Sequence, residues 1–225
     1  AGGARQTREL TFTNHRLTRR KSEKTIVSTS RLHRPLPESL TSFGAAVVGE
    51  YLYVFSGHSG DAHGFGKDLL VNHFRRIKMD DAAADWEELA MHESSQSTAL
   101  ITDGKYIFRV GGLSFIHKDD DGDGEDDVLF NSTSHFARYD IDANTWTELA
   151  PLPQPRSSLD AAVVGRTVYA VGGWDLQGKE ASRDAPWHDT MQAFDLDNPE
   201  AGWKELDGPG YQLRAVSAGA HNGKL

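Results

Sequence analysis

Residues 139–174 read YDIDANTWTELAPLPQPRSSLDAAVVGRTVYAVGGW, and the order of parts in this stretch decides the fold. One β-type run ends at Tyr139-Asp140, Asp142-Ala143-Asn144 supply a turn, and a second run carries Trp146 and Leu149. A proline corner follows at Pro151 and Pro153. An apolar run at 161–164 then meets a turn at Gly165 and resumes over 167–171, ending at Gly172-Gly173. Asp and Asn favour turns because their side chains bond the nearby backbone, and glycine tolerates backbone angles that other residues resist.

The same order recurs upstream and downstream. Residues 35–58, PLPESLTSFGAAVVGEYLYVFSGH, align without a gap to 151–174. Ala45-Ala46-Val47-Val48-Gly49 fall on Ala161 to Gly165, Tyr53 on Tyr169 and Gly57 on Gly173. A middle copy keeps the register, with Leu100-Ile101, Gly104, Phe108 and Gly111-Gly112 at the matching places. Each copy ends alike: Met79-Asp80 leads to Trp86-x-x-Leu89, Tyr139-Asp140 to Trp146-x-x-Leu149, and Phe194-Asp195 to Trp203-x-x-Leu206. The tryptophans recur roughly every 60 residues, near the roughly 50 of a long propeller-type repeat.

Each copy predicts a four-stranded antiparallel unit. The small apolar first run suits an inner strand buried on both faces. The second alternates around an aromatic and stops at paired glycines, where backbones approach closely. The tryptophan gives an outer strand the bulk to fill the space to its neighbour. Pro-Leu-Pro, Arg156, Ala-Val-Val-Gly, Tyr169, Gly172-Gly173, Phe194-Asp195 and Trp203 together resemble the kelch repeat. The resemblance covers about residues 35–206 and implies an all-β propeller with one blade per copy. Two departures stand out: Ser56 replaces the first glycine of its pair, and His92-Glu93 replaces the Pro-Leu-Pro of the second copy.

The blades expected are 35–90, 91–150 and 151–207, with a partial fourth over 208–225. Three and a half blades cannot close the usual ring of about four to eight. The sequence therefore predicts a ring that is incomplete in this chain, completed by the remainder of a longer protein or by a second polypeptide. Residues 1–34 form a basic leader, either a ring-closing strand or a flexible arm. Residues 1–35 hold nine Lys/Arg against two acids, so the net charge of -9 leaves the rest strongly acidic. That argues against a nucleic-acid surface on the body. No apolar run reaches the length of a membrane span. Without cysteine, disulfides and thiolate chemistry are excluded.

In an up-and-down blade the connections after strands two and four open on one rim. The long connections after strand two are 58–71, 113–135 and 174–190, and they carry the unusual residues. His58, Asp61 and His63 are a possible transition-metal set or ordinary loop side chains. Asp119, Asp121, Asp123 and Asp127 surround Gly124 in a run that resembles the D-x-D-x-D-G calcium loops. Phe130 stands where an EF-hand needs a bidentate Glu, and a solvated acidic loop is the alternative reading. Trp174 and Trp187, with Arg183, Asp184, His188 and Asp189, form an aromatic-and-charge set suited to peptide, protein or sugar contacts.

The function expected is a non-catalytic protein- or ligand-binding and assembly module, with Ca2+ as the one cofactor considered. The alternative is a carbohydrate-acting propeller enzyme of the sialic-acid mutarotase kind, which the resemblance admits. The copper-radical oxidases of the same family use a cysteine-crosslinked tyrosine, which this chain lacks. No G-x-S-x-G or phosphate-cradling glycine loop is present.

Overall fold

The structure is a computed structural model that describes residues 33–61, 64–119, 122, 124–179, 185 and 187–225. The leader, apart from His33 and Arg34, lies outside the described residues, as do His63, Asp121, Asp123 and Arg183.

Three four-stranded antiparallel sheets follow the three copies. The first holds β1 (Gly44–Val48), β2 (Tyr51–Phe55), β3 (Phe74–Lys78) and β4 (Glu87–Glu88). The second holds β5 (Ala99–Thr102), β6 (Tyr106–Val110), β9 (Phe136–Asp140) and β10 (Thr145–Glu148). The third holds β11 (Ser157–Val164), β12 (Thr167–Trp174), β14 (Thr190–Asp195) and β15 (Trp203–Asp207). In each, the strands lie in the order in which the chain visits them. This is the kelch-type blade, and the described residues do not close a ring. None of their helices is long and apolar enough to cross a membrane.

The sheets pack face to face in sequence. Tyr53, Phe55 and Phe74 of the first meet Leu100, Ile107 and Tyr139 of the second. Phe108, Val110 and Phe136 of the second meet Leu159, Val168, Ala170 and Phe194 of the third. Two of the outer tryptophans lie in these seams. Trp146 sits 5.5 Å from Phe55 and 5.4 Å from Phe74. Trp203 sits 4.8 Å from Phe136. Each indole also donates its N–H to the segment leading into its own blade. Trp146 bonds the Ala90 carbonyl and Trp203 the Ala150 carbonyl at 2.8 Å, while Trp86 bonds the Pro35 carbonyl at 3.0 Å. A half-buried indole hides on the order of 100 Å², worth about 2–3 kcal/mol.

A backbone ladder links the inner strands. Ser97 N–H bonds the Ser42 carbonyl at 2.7 Å, Ser158 bonds Ser97 at 3.0 Å, and Ala215 bonds Ser158 at 2.8 Å. All four residues are left-handed, with φ of 53°, 54°, 51° and 52° for Ser42, Ser97, Ser158 and Ala215. The repeat thus continues into residues 208–225 at the level of hydrogen bonding.

Two expectations need correction. The inner strand is not buried on both faces in every copy: Ala45 and Val47 of β1 are exposed, with Val47 at 51%. The counterparts of Ala45, Leu100 and Ala161, are covered by the sheet that precedes them. Met79-Asp80 is also not the counterpart of Tyr139-Asp140. Leu52, Ile107 and Val168 pair with Ile77, Tyr139 and Phe194, so the equivalent pair is Ile77-Lys78. The turn before Trp86 is two residues longer, and that length shifts the apparent match.

The glycine pairs are set by close approach. At Gly111 a Cβ would collide with the Arg156 carbonyl oxygen, and at Gly173 it would stand 2.9 Å from the Ser157 carbonyl oxygen. Ser56 has φ 49° at the first of these positions and makes use of its side chain. Its Oγ accepts from Ser95 N–H at 2.9 Å and donates to the Val71 carbonyl at 2.8 Å. In the next copy the same link is direct, from Arg156 N–H to the Thr133 carbonyl at 3.1 Å.

Candidate functional site

Each inner hairpin delivers one residue to the rim directly after the glycine pair: His58, Leu113 and Trp174. His58 bridges Thr41, Leu113 bridges Gln96, and Trp174 pairs with Ser157. The three connections that follow are built into one another.

The connection over 113–135, expected as a loop, is a β-hairpin. Strand β7 (Leu113–Lys118) pairs with β8 (Asp127–Ser132), and β13 (Gln177–Gly178) from the third connection extends it to a three-stranded sheet. Apolar alternation at Leu113 and Phe115 was the available signal, and the acidic tip obscured it. The first connection closes on the same sheet. Phe65 packs 4.8 Å from the Phe130 ring, and Lys67 N–H bonds His117 Nε2 at 3.1 Å. Leu70, Leu113, Phe115, Phe130 and Leu176 form a small core under the rim. Ser132 stitches it to the blades: its Oγ lies 2.8 Å from Ser157 Oγ and accepts Leu176 N–H at 2.9 Å.

Each of the three connections keeps one large apolar side chain in solvent: Phe65, Ile116 and Trp187 are 41%, 45% and 37% exposed, with Ile116 on the face of β7 opposite Phe115. A cleft of about 540 Å³ opens beside them, lined by Lys67, Leu70, Asn72, Glu93, Ser94, Ser114 and Phe115. Glu93 pairs with His135 at 3.0 Å at this place.

The expected site residues separate into groups. His58 is buried, and its Nε2 lies 3.0 Å from the Gly64 carbonyl, which shapes the first connection. Asp61 is exposed, and its carbonyl accepts Gly64 N–H at 3.0 Å. Asp119 accepts the backbone N–H groups of Gly122 and Gly124 at 2.6 and 3.0 Å. Asp127 pairs with Lys179 at 2.6 Å, tying β8 to the third connection. Among the described residues no three metal-ligating side chains converge.

His188 is turned beneath the rim rather than onto it. Its Nε2 lies 3.1 Å from the Pro155 carbonyl. Burial, then the nearby Arg156 guanidinium, lowers its pKa below the ordinary imidazole value. Arg156 itself is buried and bonds the Gly172 and Thr190 carbonyls, so the arginine of the repeat holds the blade together. Trp174 and Trp187 do meet, with ring centres 6.4 Å apart at 87°. The cation in the corner of the two rings is Arg214, 4.2 and 4.7 Å from their centres, which sequence reasoning missed because it lies in the following copy.

A second polar group lies in the seam between the first two sheets. Arg109 is fully buried and donates to His92 Nδ1 and to the Glu93 carbonyl, both at 2.8 Å. Burial lowers its pKa to about 10. His92 Nδ1 must accept from arginine, so its proton sits on Nε2, which donates to Glu148 at 2.6 Å. Burial, then Arg109, lowers the His92 pKa.

No family model matches the chain. Over 131 residues, 58% of the chain, it is 30% identical to Kelch-like protein 25 of Xenopus tropicalis. Over 156 residues, 68% of the chain, it is 28% identical to Kelch-like protein 40 of Mus musculus. These matches span 20% and 21% of the relatives, so the chain corresponds to about a fifth of their length. The solved structure of YjhT superimposes with a TM-score of 0.60 over 81% of the chain and 55% of its own length, at 14% identity, which speaks to the fold alone. Repeats in register, four-stranded blades with stapling tryptophans and the curated relatives converge: the chain carries kelch-type repeats and folds as a kelch-type β-propeller whose ring the described residues leave open.

Proposed function

We propose that this chain is a non-catalytic protein-binding module that makes contact through the rim built from 58–71, 113–135 and 174–190. The observation that carries the reading is the shared core beneath the rim. It holds three connections from three blades as one platform, and each connection carries one exposed large apolar side chain, Phe65, Ile116 or Trp187. Aromatic and aliphatic side chains on a rigid support are what protein interfaces use as anchors.

An affinity capture tests it. Wild-type protein and an outer-strand control, Lys204→Ala, are expected to retain the same partner, and Phe65→Ser/Ile116→Asp to lose it while melting normally. Retention of that partner by the rim variant overturns the reading. Calcium at the hairpin tip belongs to the same proposal: an ion held there by Asp119 and Asp127 would draw Asp127 away from Lys179. A second reading, a carbohydrate-acting enzyme, is favoured by the Glu93–His135 pair beside the cleft. It requires that Glu93→Gln abolish a turnover that Phe65→Ser leaves intact.

A further inference from the structure

We propose that the outer edge of β7 takes an extended peptide segment of the protein partner by strand addition. The inference rests on the rim reading above and names how the rim takes hold.

The rim sheet has the order β13, β8, β7, so β7 is an edge strand. Successive residues of an antiparallel strand turn their N–H and C=O groups to opposite sides. Two sets of bonds fix the phase. Leu113 turns both groups outward to Gln96: its N–H bonds the Gln96 carbonyl at 2.7 Å, and its carbonyl accepts Gln96 N–H at 2.9 Å. Ser132, opposite Leu113, sends its N–H away from β7 to the Leu176 carbonyl at 2.8 Å. Ser114, Ile116 and Lys118 therefore bond β8, and Leu113, Phe115 and His117 turn their backbone outward. Gln96 satisfies Leu113. Among the described residues nothing bonds the main-chain groups of Phe115 or His117 on that side.

The cleft of about 540 Å³ borders this edge, with Phe115 and Ser114 in its lining opposite Glu93 and Ser94. It is a wedge between two segments that begin paired. Continuing the register from Gln96 and Leu113 would set Ser94 against Phe115. Ser94 instead donates to Asn72 Oδ1 at 3.0 Å, and the Ser95 carbonyl accepts Gly57 N–H at 3.0 Å. The segment entering the second blade thus stays with the first blade while β7 leaves it. At the far end Lys67 N–H bonds His117 Nε2. From Leu113 to His117 the open edge runs about 13 Å, the length of a strand of about four residues.

A row of unpaired strand groups is a template for another strand. Phe115 is only 3% exposed, so the edge is recessed, and a single peptide reaches it where the sheet of a second copy would not. The peptide residue paired with Phe115 shares its face of the sheet, beside Leu70 in the cleft lining, which selects an apolar side chain there. The flanking residues fall on the face that carries Ser114 and the exposed Ile116. Main-chain bonds supply the affinity and these alternate side chains the choice of sequence.

The test uses a library of synthetic hexapeptides with Val, Ile or Leu at a central position and the other positions varied. The best binders are remade with a single N-methyl group at each position in turn. Methylation at alternate positions is expected to weaken binding at least about tenfold, and methylation between them to change it little. Amide exchange followed by NMR reads the protein side. Phe115 N–H should exchange fast in the free protein, between slow Ser114 and Ile116, and slow at least about tenfold with peptide bound. Peptide binding without the alternation, or without slowing of Phe115, overturns the proposal. If Phe65→Ser/Ile116→Asp abolishes such binding, the rim reading stands and this one fails. A library with no binder also overturns strand addition, and the rim reading is then decided by the affinity capture alone. Phe115 already slow in the free protein overturns it as well, and slowness lost on dilution would assign the edge to a second copy of this chain.

Discussion

Restoring the repeat's glycine at position 56 should weaken the protein. Ser56→Gly relieves a left-handed Cβ, a gain of about 1–2 kcal/mol. The added freedom of glycine in the unfolded chain returns about 0.5–1 kcal/mol of that. The hydroxyl, however, relays Ser95 N–H to the Val71 carbonyl, and both groups lie where water does not reach. Losing two buried bonds and stranding the Ser95 donor costs about 2–4 kcal/mol. The net expectation is a loss of about 1–3 kcal/mol, or roughly 3–10 °C in melting temperature for a domain of this size. Calorimetry of wild type, Ser56→Gly and Ser56→Ala measures it, and Ser56→Ala, which keeps the strain and loses the relay, should melt lowest. A glycine variant melting at or above the wild type would refute the reasoning. It would mean that Ser95 reaches Val71 directly, as Arg156 reaches Thr133 in the next copy.

Other substitutions separate other terms. Gly165→Ala and Gly111→Ala share a positive φ, 62° and 60°, but only Gly111 faces a carbonyl. The first should cost about 1–2 kcal/mol and the second about 3–5 kcal/mol in urea unfolding. Acidification should destabilise the seam between the first two sheets. The His92 pKa is depressed in the folded state, so the unfolded chain takes up the proton first, near pH 6.5, and the stability present above that value is lost as pH falls toward the folded value. His92→Gln, which can accept from Arg109 and donate to Glu148, should flatten the fall of melting temperature with pH; an unchanged slope would remove His92 as its cause. Millimolar calcium should raise the melting temperature if the hairpin tip binds it, and Asp119→Asn should abolish the rise; no rise over chelator ends the calcium proposal.

The blades were legible because their physics repeats. Trp146 and Trp203 fill the same kind of seam, Trp86 makes the same bond to the segment entering its own blade, and Gly111 and Gly172 answer to similar crowding, so each copy vouches for the others. The first copy's offset at Ile77-Lys78 went unseen because Met79-Asp80 looks like the motif and pairing register leaves no mark on composition. The rim was legible only as a place. Its connections do not repeat, so nothing in the sequence signalled that Gln177 would pair with Asn131 or that Phe65 would cap Phe130. Arg214 escaped notice for a related reason: its partners Trp174 and Trp187 belong to another copy, and only the backbone ladder brings them together.

Stacked blades stapled by their tryptophans are the foundation of all of this, and the five indole N–H groups report on it together. Hydrogen exchange followed by NMR in the native protein should show Trp146 and Trp203 exchanging slowly, only as the blades separate, because each donates to a linker carbonyl within a packed seam. Trp187, exposed on the rim, should exchange fast. Trp146 and Trp203 exchanging as fast as Trp187 would contradict the account.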